Sequence, residues 1–395
     1  MTVNLPDEIR ICLDTLKNAG IKAYLVGGCV RDMLLNKTPN DYDITVNTSP
    51  EHIRSLFPHT YDTGIKHGTI TVLINSMPIE ITQMRIDGEY TDHRRPTEVI
   101  PALNIDDDLK RRDFTVNAMA ISQSGELIDN FGGKEDLKNK IIRTVGDARL
   151  RYDEDALRIM RAFRFSAVLG FDIEQNSLDS ALNMSHLLKE ISAERIFAEL
   201  TKTLMSPHPE KIEPLLKCGA LSFLGLNYYM PLSPIGALSL DRDIRTAALF
   251  ILCNADPLTV CKNLKTDKAL RKSTGFLYDK FKSGFDTDEV ALKGLIAENG
   301  YDLVLKLITL YNSISETDVS HLFSLLEKIK NDPLMISDLD INGNDLLSLN
   351  IKPQYISTVL KHLQGEVHKD KNVNHHNILL QLTTKYCKNI PNIVK

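Results

Sequence analysis

The chain has 395 residues, of which 43% are hydrophobic and 25% are charged, and its formal net charge is -5. A chain of this length is expected to divide into about two to four compact units, and its composition is that of a soluble globular protein. No apolar stretch approaches the roughly 20 residues that a membrane helix needs, and residues 1–10 lack the basic start of a signal peptide, so we predict a cytoplasmic protein with no membrane partner.

The first predicted elements surround a pair of glycines, Gly27 and Gly28. A helix is predicted over 7–19, because a proline stands near its first turn, apolar residues recur at helical spacing and a glycine follows its end. A strand at 23–26 leads into the glycines. A short helix at 30–35 and a strand at 41–46 follow them.

Asp41 and Asp43 give the strand predicted at 41–46 its chemistry. Side chains alternate along an extended strand, so the two carboxylates are expected on one face, about 7 Å apart. Such a pair can hold Mg²⁺ ions that keep room for water and phosphate oxygens. The two glycines let backbone N–H groups approach an anion, and Arg31 adds a permanent positive charge. Asp-x-Asp and Gly-Gly are each common in turns, but their order here favours phosphoryl or nucleotidyl transfer with Mg²⁺ as cofactor.

A hairpin and a polar loop are predicted next. Strands at 67–74 and 78–84 are rich in Thr, Val and Ile and are expected beside the 41–46 strand. Glu80 alternates with isoleucines in the second strand and is either a third acidic ligand or a solvent-facing residue. The segment 87–96 carries charges of both signs without periodicity, and we predict a mobile loop at the site.

The rest of the chain is predicted to be mainly helical. A helix is expected over 106–119, followed by strands near Leu127 and Ile141, and beyond residue 153 the pattern is helical. Residues 351–395 contain seven Lys and two acidic residues, which fits either a nucleic-acid contact or a solvated terminal helix. The six cysteines are scattered without a Cys-x-x-Cys spacing, so neither a disulfide framework nor structural zinc is predicted.

Residues 153–165 are predicted to form a helix with an unusual charged face. Asp155, Arg158, Arg161 and Arg164 are three residues apart and therefore neighbours, but each step rotates about 60° backwards. The four side chains cannot all face one small ligand. Asp155 and Arg158 are the natural pair, Arg161 can reach round, and Arg164 is expected to meet a phosphate or a structural partner at the margin.

An adjacent carboxylate and guanidinium suit the edges of cytosine and adenine. Asp155 only accepts hydrogen bonds and Arg158 only donates them, whereas these two bases offer an amino donor beside a ring-nitrogen acceptor. Guanine and uracil offer an oxygen acceptor beside an N–H donor, and would leave polar groups unpaired. Because unpaired polar groups are costly, such a pair can select a base without a template. An ion pair between helix neighbours is the alternative interpretation of this spacing.

The order of these motifs resembles the bacterial tRNA nucleotidyltransferases of the class II CCA-adding type. That family shares its head domain with bacterial poly(A) polymerases. The resemblance covers the first half of the chain and rests on the segments 26–32, 41–43, 87–96, 111–119, 131–133, 154–158 and 191–196. Longer relatives carry a histidine-aspartate phosphohydrolase domain, and none is expected here because no His-Asp dipeptide occurs.

The resemblance implies a fold and a division into domains. The fold is an α+β nucleotidyltransferase head, with a five-stranded mixed sheet and helices, followed by an all-α neck, body and tail. The head is implied at 1–150 and a nucleotide-recognising neck at 151–205. A helical body is implied at 206–320, and a helical tRNA-binding tail at 321–395.

The resemblance also implies a reaction and its residues. C, C and A would be added to the 3′ end of tRNA without a template, by in-line attack of the 3′-hydroxyl on the α-phosphate of CTP or ATP, with release of pyrophosphate and two Mg²⁺ ions. The implied catalytic residues and metal ligands are Asp41 and Asp43. The implied nucleotide contacts are Gly28, Arg31, Arg112, Asp155, Arg158, Arg161 and Arg164. The partners are tRNA, ATP and CTP, and no obligatory protein partner is evident.

Two other functions remain compatible with these motifs. A poly(A) polymerase or an A-adding tRNA nucleotidyltransferase would share every head motif and differ in how it handles the primer. A non-catalytic tRNA-binding module would keep the fold without the reaction, although the intact carboxylate pair disfavours it. The presence of the loop at 87–96 disfavours an enzyme that adds only C, because the resemblance makes this loop the element that moves when specificity changes from CTP to ATP.

Overall fold

The computed structural model describes residues 5–65, 68–88, 99–388 and 393. The chain divides into two compact units, one formed by Met1–Gly236 with Cys253–Thr266 and the other by Ala237–Leu252 with Asp267–Lys395. Beyond its first two positions, the loop predicted at 87–96 lies outside the described residues.

A mixed sheet forms the centre of the first unit. The strands, in chain order, are β1 Ala23–Val26, β2 Asp43–Val46, β3 Thr60–Gly64, β4 Thr69–Ile74, β5 Met77–Gln83, β6 Arg85–Asp87, β7 Val99–Pro101, β8 Ala120–Ser122, β9 Leu127–Ile128, β10 Ile141–Ile142 and β11 Asp172–Ile173. Seven of them form one sheet in the order β3-β4-β5-β2-β1-β8-β9. β1 runs antiparallel to β2 and β8, and β2 runs parallel to β5.

The expectation of a five-stranded sheet is wrong, because the sheet has seven strands. The middle residues of β3 are exposed, so this strand lacks the alternating apolar pattern from which strands are predicted, and β8 directly follows the segment that was predicted as a helix. The strand predicted near Leu127 exists as β9. The strand predicted near Ile141 exists, but it pairs in parallel with β11 in a separate two-stranded sheet.

Helices pack against the sheet. The first ten, in chain order, are α1 Asp7–Asn18, α2 Gly28–Leu34, α3 Pro50–Leu56, α4 Ile105–Lys110, α5 Gly133–Asn139, α6 Ala148–Glu154, α7 Leu157–Leu169, α8 Gln175–Asn183, α9 Ala193–Leu204 and α10 Glu213–Lys217. Ile9 and Leu16, on one face of α1, are buried in the same core as Leu25 of β1 and Ile44 of β2. Burial of this helical face against the strands places the glycines after β1 and the carboxylate of β2 at one edge of the core.

The helix predicted over 106–119 is wrong in its second half. α4 ends at Lys110, and Phe114 is extended and forms a bridge with Thr144. The carboxylate of Asp113 accepts a hydrogen bond of 2.9 Å from the backbone N–H of Phe114. A side chain that accepts a hydrogen bond from a neighbouring backbone N–H in this way competes with the backbone hydrogen bonds of a helix.

The helix predicted over 153–165 is also interrupted. α6 ends at Glu154 and α7 begins at Leu157, while Asp155 has extended backbone angles (φ -139°, ψ 101°). Its carboxylate accepts a hydrogen bond of 3.1 Å from the backbone N–H of Leu157. This two-residue spacing is that of an Asx turn, which offers the backbone an alternative to the helix.

The strand predicted over 41–46 is shorter in the structure. β2 begins at Asp43, so Asp41 lies in a bend just before the strand.

The second unit is helical, as predicted for the later part of the chain. The remaining helices are α11 Ser233–Ala237, α12 Arg242–Leu252, α13 Pro257–Asn263, α14 Lys268–Ser283, α15 Glu289–Asn299, α16 Tyr301–Ile314, α17 His321–Ile329, α18 Gly343–Ser348, α19 Ile356–Lys369 and α20 His376–Lys388. α13, and α11 except for its last residue Ala237, belong to the first unit. Over the described part of the chain, no single helix is long and apolar enough to cross a membrane. α12 and α13 meet the length and composition test only when taken together.

The close packing of Gly133 against Thr115 can be tested by substitution. A Cβ atom on this residue would lie 2.3 Å from the backbone oxygen of Thr115, so Gly133→Ala should lower the free energy of unfolding by about 1–3 kcal/mol. Gly275→Ala is the control, because nothing lies within 4 Å of its Cβ position inside α14. That exchange should leave stability unchanged or raise it by about 0.5–1 kcal/mol. Equal denaturant midpoints for Gly133→Ala and the wild type would contradict the packing at Thr115.

Candidate functional site

A glycine turn begins the candidate site. Gly27 has a φ of 74°, a conformation that favours glycine, and it immediately precedes Gly28, the first residue of α2. A Cβ atom on Gly27 would lie 3.0 Å from Nη1 of Arg112 and 3.7 Å from Oδ2 of Asp43. The turn therefore packs directly against an arginine and a carboxylate that are distant in the sequence.

The carboxylates of the predicted pair interact, and Glu80 lies beside them. Asp43 pairs with Glu80 across the parallel strands β2 and β5. Burial raises the pKa of Asp43, and the charges of Glu80 and Asp41 raise it further against the opposing effect of Arg112. The three carboxylates are thus close enough to repel one another. Glu80 was predicted to be either a third acidic ligand or a solvent-facing residue. It is exposed, and it also belongs to this acidic edge.

These residues fit a hard divalent cation. Carboxylate oxygens are the ligands that Mg²⁺ prefers, and a cation would relieve the repulsion that raises the pKa of Asp43. Among the described residues, no group of three or more His, Cys, Asp or Glu side chains is arranged to hold a metal ion. In phosphoryl-transfer sites, one or two carboxylates usually bind Mg²⁺ together with substrate phosphates and water.

Arg112 is held by a buried carboxylate, Asp108, to which the sequence analysis assigned no role. Oδ2 of Asp108 accepts a hydrogen bond of 3.0 Å from Arg112, and Oδ1 accepts one of 2.7 Å from Arg111. Burial works to raise the pKa of Asp108, but the charges of Arg112 and Arg111 outweigh it and hold the pKa below its usual range. Arg112 is fixed beside the glycine turn in this way.

Arg31 is fixed close to Gly28. Its Nε donates a hydrogen bond of 2.9 Å to Oδ1 of Asp32, and its Nη1 donates one of 2.7 Å to Oδ1 of Asn117. A Cβ atom on Gly28 would lie 3.5 Å from Nη2 of Arg31. The glycine and the arginine that were predicted to contact phosphate are therefore neighbours in space.

Asp155 and Arg158 are each held by a different partner. Oδ2 of Asp155 accepts a hydrogen bond of 3.0 Å from Arg195 of α9. Arg158 is buried, pairs with the carboxylate of Glu154 and donates to two backbone carbonyl oxygens at 3.0 and 2.9 Å. The alternative interpretation from spacing, an ion pair between Asp155 and Arg158, is therefore wrong, because Arg158 pairs with Glu154 at the end of the preceding helix. For Asp155 the structure shows an ion pair with Arg195.

Arg161 and Arg164 also have acidic partners. Nε of Arg161 donates a hydrogen bond of 2.8 Å to Oδ2 of Asp113, and Arg164 donates to Glu199 of α9. The charge of Asp113 raises the pKa of Arg161 despite burial, whereas burial lowers the pKa of Arg164 although Glu199 opposes it. Arg164 thus has a structural partner, Glu199, which is one of the two kinds of contact predicted for it.

The structure brings the predicted nucleotide contacts into one region of the first unit. The glycine turn, which includes Gly28, packs against Arg31, Arg112 and the carboxylate of Asp43. Arg158 joins this group through the backbone carbonyl oxygen of Arg111. The other predicted contacts, Asp155, Arg161 and Arg164, lie on or just before the same helix, α7.

The residues that hold the candidate arginine side chains in place were not predicted from the sequence. A four-residue helical spacing links Asp108 with Arg112 and Glu154 with Arg158, so that rule would have found both pairs. Glu199 lies 35 residues from Arg164, and no local signal joins them. Asn117 lies 86 residues from Arg31 and is equally invisible to spacing.

Comparisons with known proteins support the resemblance. The family described as the poly A polymerase head domain matches residues 23–143, and the family described as a probable RNA and SrmB-binding site of polymerase A matches residues 170–228. The CCA-adding enzyme of Streptococcus gordonii is 47% identical over 224 residues, which are 56% of this chain and 56% of that protein. The CCA-adding enzyme of Streptococcus pyogenes (serotype M2) is 46% identical over 226 residues, again 56% of each. The chain therefore matches little more than half the length of these curated relatives.

Solved structures extend the similarity in fold to nearly the whole chain. The Bacillus stearothermophilus CCA-adding enzyme in complex with CTP has a TM-score of 0.82 and 26% identity, over 97% of this chain and 99% of that chain. The Thermotoga maritima CCA-adding enzyme complexed with tRNA has a TM-score of 0.68 and 22% identity, over 98% and 97%, which shows a shared fold. The head-domain match, these relatives and these structures confirm the resemblance to CCA-adding enzymes that was seen in the motifs of this chain.

Proposed function

We propose that this protein adds C, C and A to the 3′ end of tRNA without a nucleic-acid template, using CTP and ATP. The observation that carries the proposal is the packing of the glycine turn against both Arg112 and Asp43, because it joins a phosphate-binding element to a metal-binding carboxylate. The names of the curated relatives and the CTP bound to the Bacillus enzyme support the same activity.

The proposed chemistry uses the acidic edge and its neighbouring cations. Asp41 and Asp43 would hold Mg²⁺, which when bound would lower the pKa of the attacking 3′-hydroxyl and neutralise phosphate charge. Gly28 and Arg31 would bind the triphosphate, and Arg112 would stabilise charge that develops on the phosphates. The hydroxyl oxygen would bond to the α-phosphorus in line with the departing pyrophosphate, and the hydroxyl proton would be lost.

Base selection is proposed for Asp155 and Arg158. Because Arg195 and Glu154 already hold these two side chains, they need little ordering when a base arrives. Arg161 is proposed as a further nucleotide contact, since a third of its side chain is exposed. Arg164 is proposed at the margin of the nucleotide site.

The proposal assigns each predicted segment a role. Residues 1–150 would be the catalytic head and 151–205 the nucleotide-recognising neck. Residues 206–320 would be the helical body and 321–395 the tail that binds tRNA. A cytoplasmic location, where tRNA and nucleotides are abundant, stays a prediction.

The reaction itself gives the first test. Purified protein is incubated with a tRNA transcript that lacks its 3′ CCA, first with CTP alone and then with CTP and ATP. We expect two C residues with CTP alone, then one A and arrest when ATP is present. Repeated addition of A with no use of CTP would identify a poly(A) polymerase or an A-adding enzyme. No incorporation at all would identify a non-catalytic tRNA-binding module.

Asp41→Ala tests the metal-binding role in the same assay. We expect incorporation of C to fall by at least about a hundredfold, the scale for loss of a preorganised electrostatic contact in an active site. Asp14→Ala, which removes an exposed carboxylate from α1, is the matched control and should act like the wild type. Undiminished incorporation by Asp41→Ala would remove this residue from the catalytic pair.

Arg158→Ala tests base selection. The ratio of kcat/KM for CTP and ATP to that for UTP and GTP should fall by at least about tenfold, because the donor that distinguishes these bases is lost. Arg149→Ala, an exposed arginine of α6, is the control and should keep the ratio. A general loss of activity with an unchanged ratio would mean that Arg158 has only a structural role.

A further inference from the structure

One aromatic ring, that of Phe165, lies at the centre of the candidate arginines. The guanidinium carbon of Arg164 lies 3.9 Å from the ring centroid, and those of Arg161 and Arg31 lie 5.3 and 5.6 Å from it. Phe114 packs against Phe165 edge to face, with the centroids 5.7 Å apart and the rings at 75°. Phe165 is buried, so water screens these contacts only weakly.

The arginines reach this ring from two different elements. Arg31 belongs to α2, which follows the glycine turn, whereas Arg161 and Arg164 precede Phe165 on α7. Phe165 follows Arg158 by seven residues and Arg161 by four, so these three side chains share one face of the helix. The ring thus lies where the phosphate-binding turn meets the helix that carries the base-selecting arginine.

Separate anchors hold the three guanidinium groups, and among the described residues the ring of Phe165 lies close to all three. Arg31 is anchored by Asp32 and Asn117, while Arg161 and Arg164 are anchored by acidic residues of their own. A guanidinium within about 6 Å of a ring centroid is attracted to the π face, and the attraction strengthens when water is excluded. Anchors on different elements fix each cation alone, whereas the attraction of each cation to the same ring fixes them relative to one another.

We propose that Phe165 is a positioning residue that aligns Arg31 with Arg161 before the nucleotide binds. The inference rests on the proposed function, in which Arg31 binds the triphosphate and Arg161 contacts the same nucleotide. A site whose cations are already aligned loses less freedom when its ligand binds. The guanidinium groups over the ring are those of Arg31, Arg161 and Arg164, and base selection is proposed for Asp155 and Arg158, so the effect of the ring is expected to fall equally on CTP and ATP.

Phe165→Leu removes the π face and keeps an apolar side chain. The KM for CTP and for ATP should rise together by roughly fivefold to thirtyfold, the scale of a desolvated cation–π contact. kcat at saturating nucleotide should stay within about twofold, because the lost contact acts on binding. The preference for CTP and ATP over UTP and GTP should not change. Phe165→Tyr keeps a π face and should restore the KM to near the wild-type value.

Phe163→Leu is the matched control. Phe163 lies on the same helix and is buried with 1% exposure, and among the described residues no guanidinium lies over its ring. This exchange should lower thermal stability and leave both KM values unchanged. A wild-type KM for Phe165→Leu, or an equal rise in KM for Phe163→Leu, would overturn the positioning role.

Titration calorimetry with CTP and MgCl₂ separates this inference from the proposed function. The dissociation constant for CTP should rise in Phe165→Leu by the same factor as KM. Failure of the proposed function would appear as absence of C incorporation by the wild type, whereas failure of the inference would appear as an unchanged dissociation constant. Circular dichroism checks folding, and Phe165→Met, which fills similar space without a π face, carries the same expectation if the leucine variant does not fold.

Discussion

The candidate site depends on the pairing of each of its arginines with an acidic residue. Guanidinium groups packed close together, partly out of water, repel one another and lose hydration unless a carboxylate lies beside them. Burial alone would raise the pKa of Asp113, yet the charge of Arg161 holds that pKa below its usual range. The pairs are Arg31 with Asp32, Arg112 with Asp108, Arg158 with Glu154, Arg161 with Asp113, Arg164 with Glu199 and Arg195 with Asp155.

The pairs differ in which of the two side chains is more exposed to solvent, and an approaching anion meets the more exposed side chain first. The side chain of Arg112 is 19% exposed while that of Asp108 is fully buried, and Arg161 is 34% exposed against 9% for Asp113. In these pairs the cation is the outer group, which favours contact with phosphate. The order is reversed at Arg158, which is 10% exposed against 22% for Glu154, and at Arg31, which is 12% exposed against 24% for Asp32. Exposure alone therefore does not separate the proposed base contact of Arg158 from the proposed phosphate contact of Arg31.

Local chemistry could be predicted from the sequence because its motifs are short and contiguous. The glycine turn, the carboxylates at 41 and 43 and the arginines of α7 were all found from spacing and residue type. The partners were not found where they come from distant segments, as with Asp113, which lies 48 residues from Arg161. Spacing rules describe neighbours on one helix or strand, whereas these contacts depend on how elements pack. Two predicted helices ran too long for a related reason, since each contains an aspartate that bonds the backbone just after it.

The break in the second of these helices bears directly on base selection. Had the helix continued through Asp155, this carboxylate and Arg158 would be helix neighbours and could neutralise each other. Instead the chain is extended at Asp155, whose carboxylate turns to Arg195, while Arg158 turns to Glu154. Each group is then held by a partner of its own and not by the other, and the proposed function uses the first as an acceptor and the second as a donor for the base. A local departure from helical regularity is often found at functional sites, and here it separates the two charges that the proposed discrimination requires.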